Sequence, residues 1–161
     1  MLALRSLLLG VGLLLSGCAD PRAEVDAYSA ALAPTLQKNT SLGMEFRDTA
    51  AKIKRAEVDG KTIAEHFTTS TVPLADEMAK GVAAVHPKDP KLAAAHAILV
   101  QAWADRASVY AEAGKAWASG DGAAFDAARR REVEVHNQEQ AYLDAVNPLT
   151  EPHGVTIDLY P

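Results

Sequence analysis

From Asp89 to Val146 the chain carries a single break, Ser119-Gly120-Asp121, and apolar residues recur with helical spacing on both sides of it. Before the break, one seam is His96, Trp103, Tyr110 and Trp117, and its neighbour is Leu92, Leu99, Arg106 and Ala113. After it, the stripe is Phe125, Ala128, Glu132, Val135, Glu139, Tyr142 and Val146. Steps of three, four and seven residues mark an amphipathic helix. A connection this short leaves two long helices lying side by side and antiparallel. Asp89-Pro90 supplies an N-cap followed by proline, Ser119-Gly120 a stop, and Asp121 the next N-cap. Asn147-Pro148 is expected to end the second helix, because the residue before proline is pushed out of the helical region.

The chain ahead of this hairpin reads the same way with weaker local propensity. Asp20-Pro21 opens a stripe of Val25, Tyr28, Leu32, Thr35, Asn39, Leu42, Phe46, Thr49, Ile53 and Ala56. Pro34 is expected to kink this segment and Asn39-Thr40-Ser41 to interrupt it, and Asp59-Gly60 reads as its end. The next segment carries Ile63, Phe67, Ser70, Leu74, Met78, Val82 and Val85. A second kink is expected at Thr68-Thr69-Ser70-Thr71 and Pro73, and His86-Pro87 closes the segment. Alanine supplies 32 of the 161 residues, which favours helix over strand throughout. The spacing predicts an all-α fold: an up-down-up-down four-helix bundle over residues 21–147, with kinked first and second helices. A helical-hairpin repeat competes with it, but no self-similarity at roughly 34 or 40 residues is present. Residues 148–161 read as an extended C-terminal arm, since Val155 to Tyr160 alternates like a strand that has no partner. The first helix should overhang the second at its start, with Val155, Ile157 and Leu159 of the arm burying Val25, Tyr28 and Leu32.

Ahead of these helices, Arg5 precedes an apolar run from Leu7 to Leu15, shorter than the ~20 residues a membrane-spanning helix needs. The only cysteine stands at the end of Leu15-Ser16-Gly17-Cys18. Over residues 1–18 the sequence resembles the bacterial lipoprotein family, whose lipobox has this form. The resemblance implies a signal peptide at 1–17, cleavage before Cys18, a diacylglyceryl thioether on Cys18, and a lipidated anchor at 18–20. It also implies a cell-envelope location, held to the membrane through that lipid, with Ala19 favouring the outer membrane where the source has one. Two or three acyl chains hold a protein firmly, whereas one binds marginally.

A formal net charge of −5 gives no basic face, so no nucleic-acid partner is expected. One cysteine excludes a disulfide framework and a cysteine-built zinc site. The chain has no Gly-rich phosphate loop, no Cys-x-x-Cys-His and no Gly-x-Ser-x-Gly, and no Glu stands three before a His. Catalytic residues, metals and cofactors are therefore expected to be none, and the protein is read as non-enzymatic. Trp103, Tyr110 and Trp117 can stack a flat ligand, but such a ladder is more often the large half of a core whose other half is alanine.

One candidate site emerges from the seams. Arg106 lies where Leu99 and Ala113 stand one heptad either side, and a cation there must be paired or reach outward. Counting along antiparallel hairpins brings residues 135, 71 and 48 to its height. Glu132 and Glu139 bracket that height with His136 beside them, and Ser70, Thr71, Asp48 and Thr49 join from the other helices. The plain reading is a buried ion pair that sets register. The functional reading is a small pocket in which Arg106 holds an anionic group, with Glu132, His136, Glu139, Thr49 and Ser70 as further ligand-binding candidates. The expected function is a membrane-anchored interaction or assembly module with an envelope protein partner; small-ligand or metal binding inside the bundle is the alternative.

Overall fold

The structure, a computed structural model, describes residues 20–55 and 57–160, and the side chains of Phe46, Arg47, Thr49, Ala50, Ile53 and Lys54 lie outside that description. The described residues are mostly helical, with no strand among them. Helix α1 spans Pro21–Lys54. Helix α2 (Gly60–His66), a π-helical segment (Phe67–Thr71) and α3 (Val72–Ala83) follow end to end as one rod. Helices α4 (Pro90–Ser119) and α5 (Gly122–Thr150) complete a four-helix bundle, and one 3-10 turn (Glu151–His153) leads into the arm.

The caps of the second half sit where their chemistry demands. Asp89 accepts from the amides of Lys91 and Leu92, Asp121 accepts from Ala124, and Gly120 takes a left-handed φ of 69°. The first half departs from its expected boundaries. Asp59 opens α2 by accepting from the Thr62 amide, so α1 stops earlier, at Lys54. Asn39-Thr40-Ser41 does not interrupt α1. The Thr40 and Ser41 hydroxyls bond back to the carbonyls of Leu36 and Gln37, which keeps their polarity within the helix. Thr68 and Thr69 bond back to Ala64 and Glu65 in the same way. At this point the backbone slips to π register, the Val72 amide reaching Phe67 O. Pro73 has no amide to continue the ordinary ladder, and the wider turn accommodates its ring. Helix α5 runs through Pro148 to Thr150 instead of ending at Asn147: the proline lacks the one amide that would continue the ladder, and the helix closes two residues later.

Helix α4 is the most enclosed, with Leu92, His96, Leu99, Trp103, Arg106, Tyr110 and Ala113 all buried. Its contacts with α5 descend one helix as they climb the other: Trp117 with Phe125, Tyr110 with Glu132, Trp103 with Glu139. On the rod's other side, Lys38 of α1 pairs with Glu77 at 2.7 Å, and Glu45 receives the Ser70 hydroxyl. The start of α1 lies against the α3–α4 connection, where Glu24 Oε1 accepts from the amides of Lys88 at 2.6 Å and Asp89 at 3.3 Å. Non-helical chain advances about 3.3 Å per residue against 1.5 Å in a helix, so this connection accompanies α1 further than helix counting allows. It shares the cover of the overhang with the arm, whose Ile157 and Leu159 join Val25, Tyr28 and Leu32 in one core cluster.

Close approach of α1 and α3 depends on Gly81, where an added Cβ would stand 2.6 Å from Thr35 Oγ1. Thr35 is β-branched and stiff at χ1, so it cannot swing clear cheaply. Gly81→Ala should therefore lower stability by about 1–3 kcal/mol despite its better helix propensity. Adding Thr35→Ala should recover the loss, as measured by urea unfolding.

Candidate functional site

Two polar clusters interrupt the apolar core, the first drawing on three helices and the arm, the second on all four helices of the bundle. The first is built around Arg106 on α4. Its side chain is 6% exposed and that of Glu139 on α5 is 1% exposed, and Arg106 Nη2 meets Glu139 Oε1 at 2.5 Å. Nη1 donates to Asn39 Oδ1 of α1 at 2.9 Å, and Nη2 also donates to the Tyr160 hydroxyl of the arm at 3.2 Å. Glu139 accepts from Trp103 Nε1 at 2.7 Å and from the Tyr160 hydroxyl at 2.6 Å. The Arg106 guanidinium carbon lies 6.0 Å from the Trp103 ring centroid. Asn39 completes the set by donating through Nδ2 to Leu159 O at 2.6 Å. Only Arg106 Nε, among the guanidinium nitrogens, has no hydrogen-bond partner.

Charge decides what this cluster can do. Burial is the largest influence and works against the Arg106 cation, but the Glu139 carboxylate together with Tyr110 and Tyr160 outweighs it and holds the guanidinium pKa above its usual value. The Tyr160 hydroxyl donates to a carboxylate and accepts from a guanidinium at once; burial and the Glu139 bond raise its pKa. A carboxylate ligand in place of that phenol would face Glu139 and be repelled. The geometry suits a neutral hydroxyl.

The second cluster is a chain of neutral groups. His96 Nε2 lies 3.0 Å from Val82 O, Nδ1 lies 3.1 Å from the Tyr28 hydroxyl, and the Tyr28 and Tyr142 hydroxyls are 2.9 Å apart. The Val82 carbonyl can only accept, so Nε2 carries the proton and Nδ1 accepts from Tyr28. Tyr28 must then accept from Tyr142. Burial pushes the Tyr28 phenol up to about 12 and moves Tyr142 in the same direction. Burial lowers the His96 pKa, with nearby His86 adding to the effect against the bonds to Val82 and Val85.

The residues expected at one height divide among several environments. Arg106 and Glu139 meet directly. Glu132 instead accepts from the Tyr110 hydroxyl at 2.8 Å. His136 is 69% exposed, with Nδ1 3.8 Å from Glu139 Oε2. Ser70 bonds to Glu45, Asp48 pairs with Lys52 at the surface, and Thr71 is buried. The Thr49 side chain and Cys18 lie outside the described residues. The early stop of α1 shifts it by about one turn against the rod, as Lys38 at Glu77 and Glu45 at Ser70 show, and the Arg106 guanidinium meets Asn39, a further turn toward the start of α1, instead of Asp48. Asn39 was legible as an amide on an apolar stripe, which must find a partner once buried. Tyr160, on the outward side of the arm's alternation, carries no such signal. Among the described residues, no group of three or more His, Cys, Asp or Glu side chains is arranged to hold a metal.

Two outcomes test these clusters. Arg106→Met strands a buried carboxylate and should cost about 3–5 kcal/mol in denaturant unfolding; Arg106→Met with Glu139→Gln should be more stable than Arg106→Met alone. For His96, the unfolded chain takes up a proton near the ordinary value of 6.5 while the folded chain resists it. Stability should thus be greatest above that pH and fall as pH drops below it, and His96→Gln should flatten that slope in unfolding experiments from pH 7.5 to 5.

Comparison with family models, curated proteins and solved structures finds no match to this chain.

Proposed function

We propose that the protein is a lipid-anchored cell-envelope protein whose bundle, in up-down-up-down order with kinked first and second helices, serves as a non-enzymatic interaction or assembly module. The observation that carries this reading is Leu15-Ser16-Gly17-Cys18 directly after an apolar run with Arg5 ahead of it. The start of the bundle is compatible with such an anchor: α1 begins at Pro21, three residues beyond Cys18. The α3–α4 connection and the 3-10 turn lie at that same end, where Pro21, Glu24, Lys88, Lys91, Leu149 and His153 line a cleft of about 320 Å³. The partner is an envelope protein, and the attachment to membrane is the acylated Cys18.

Ligand binding inside the bundle is the second reading, supported by Arg106 Nε, a buried donor with no partner. The two readings separate on one variant. Under the first, Arg106→Met alters stability and leaves the partners recovered by crosslinking unchanged; under the second, binding is lost while helicity survives.

Cys18→Ser tests the anchor. In a bacterial host, a labelled fatty acid should be incorporated into the wild type and not into the variant, which should leave the membrane fraction. Equal labelling of the two would sink the anchor.

A further inference from the structure

The arm is held in the way a receptor holds a peptide. It lies between α1 and α5, and side chains of those helices bond its main chain at alternate residues. The Asn147 amide grips Ile157 from both sides, Nδ2 donating to its carbonyl at 3.1 Å and Oδ1 accepting from its amide at 2.8 Å. Two residues on, Asn39 donates to Leu159 O. Ile157 and Leu159 are buried, whereas Thr156 and Asp158 between them are exposed. The Tyr160 hydroxyl ends the series between Arg106 and Glu139. Main-chain bonds that give affinity, and pockets for alternate side chains that give specificity, are the pattern of extended-peptide recognition. Gly154, at φ 81°, is the joint between this arm and the bundle.

We infer that the groove between α1 and α5 is a binding site for an extended peptide of the form apolar-x-apolar-tyrosine. Its present occupant is the chain's own arm, and the occupant it takes in trans is the same arm of a second copy. The groove's requirements select that occupant. Asn147 and Asn39 read main chain, the two apolar pockets take Ile157 and Leu159, and the terminal position needs a hydroxyl that donates to Glu139 while accepting from Arg106. Residues 157–160 of another copy meet all of these by identity. A reciprocal exchange of arms keeps the contacts of residues 157–160 and costs the turn bonds of the joint, from the Gly154 and Val155 amides to the Glu151 and Thr150 carbonyls, together with the entropy of association, so concentration governs it. The tethered arm competes at a high effective concentration, which keeps isolated copies closed on themselves. The inference does not depend on lipid attachment.

The test uses the full chain with a protease site inserted between Gly154 and Val155. Cut after folding, the arm is held by its contacts alone, and a fluorescent peptide of residues 155–160 should replace it, read as a rise in anisotropy. The same peptide with Tyr160→Phe should bind roughly tenfold or more weakly, since it loses bonds to two charged groups. Uncut chains refolded at rising concentration should form a dimer that falls to monomers when the inserted site is cut. A peptide that fails to enter a cut protein of unchanged helicity overturns the inference. So does a chain that stays monomeric at every concentration, or a dimer that survives the cut. If the cut protein loses its helices, the dimer measurement decides, because the uncut chain folds with its arm attached.

Discussion

A guanidinium shut away from water at Arg106 obliges its surroundings to answer it. An unpaired buried charge costs several kcal/mol, so the seam of α4 is tolerable only because α5 brings Glu139 to it and α1 brings Asn39. Each partner stands on a different helix, and each tolerates little displacement. Sliding α5 by one turn would part Glu139 from Arg106 and Trp103 together, and sliding α1 would part Asn39 from Arg106 and Leu159. The apolar stripes alone are far less selective, because alanine-rich faces slip past one another with small penalty. The pair sets register where packing leaves it loose.

The two polar clusters solve burial differently. Around Arg106, opposite charges attract at short range and the surrounding donors saturate the carboxylate. Around His96, no group is charged, and proton positions follow in one direction from Tyr142 to Val82 O. The first cluster demands geometry, while the second demands that His96 stay neutral. Both take up positions that periodicity marks as core, and the aromatic and histidine seam of α4 is buried along most of its length. Trp117, only partly buried against Phe125, is the exception at the far end.

What could be read from the sequence divides along the range of the forces involved. Asp89, Gly120 and Asp121 act on amides or backbone angles within a few residues, so their roles follow from local chemistry. The seams of α4 and the stripe of α5 follow from periodicity, and the Arg106–Glu139 pair from those seams plus the short loop that fixes the hairpin's register. The end of α1 was not legible, because Asp59 is as good a start signal as a stop. Its true role depends on where the connection turns. Nor was the completed site. Asn39 and Tyr160 reach Arg106 from positions 67 and 54 residues away along the chain, and no local pattern encodes such a meeting.

The bond from Glu24 to the amides of Lys88 and Asp89 has a mechanical consequence. Traction applied at Asp20 enters α1 along its axis, and within the first turn Glu24 passes part of it to the connection that leads into α4. Two neighbouring helices thus share the load before it reaches Tyr28 and the core beneath. A pull from that end strains a charged clamp on the rim of the bundle first, and the aromatic interior is the last to feel it.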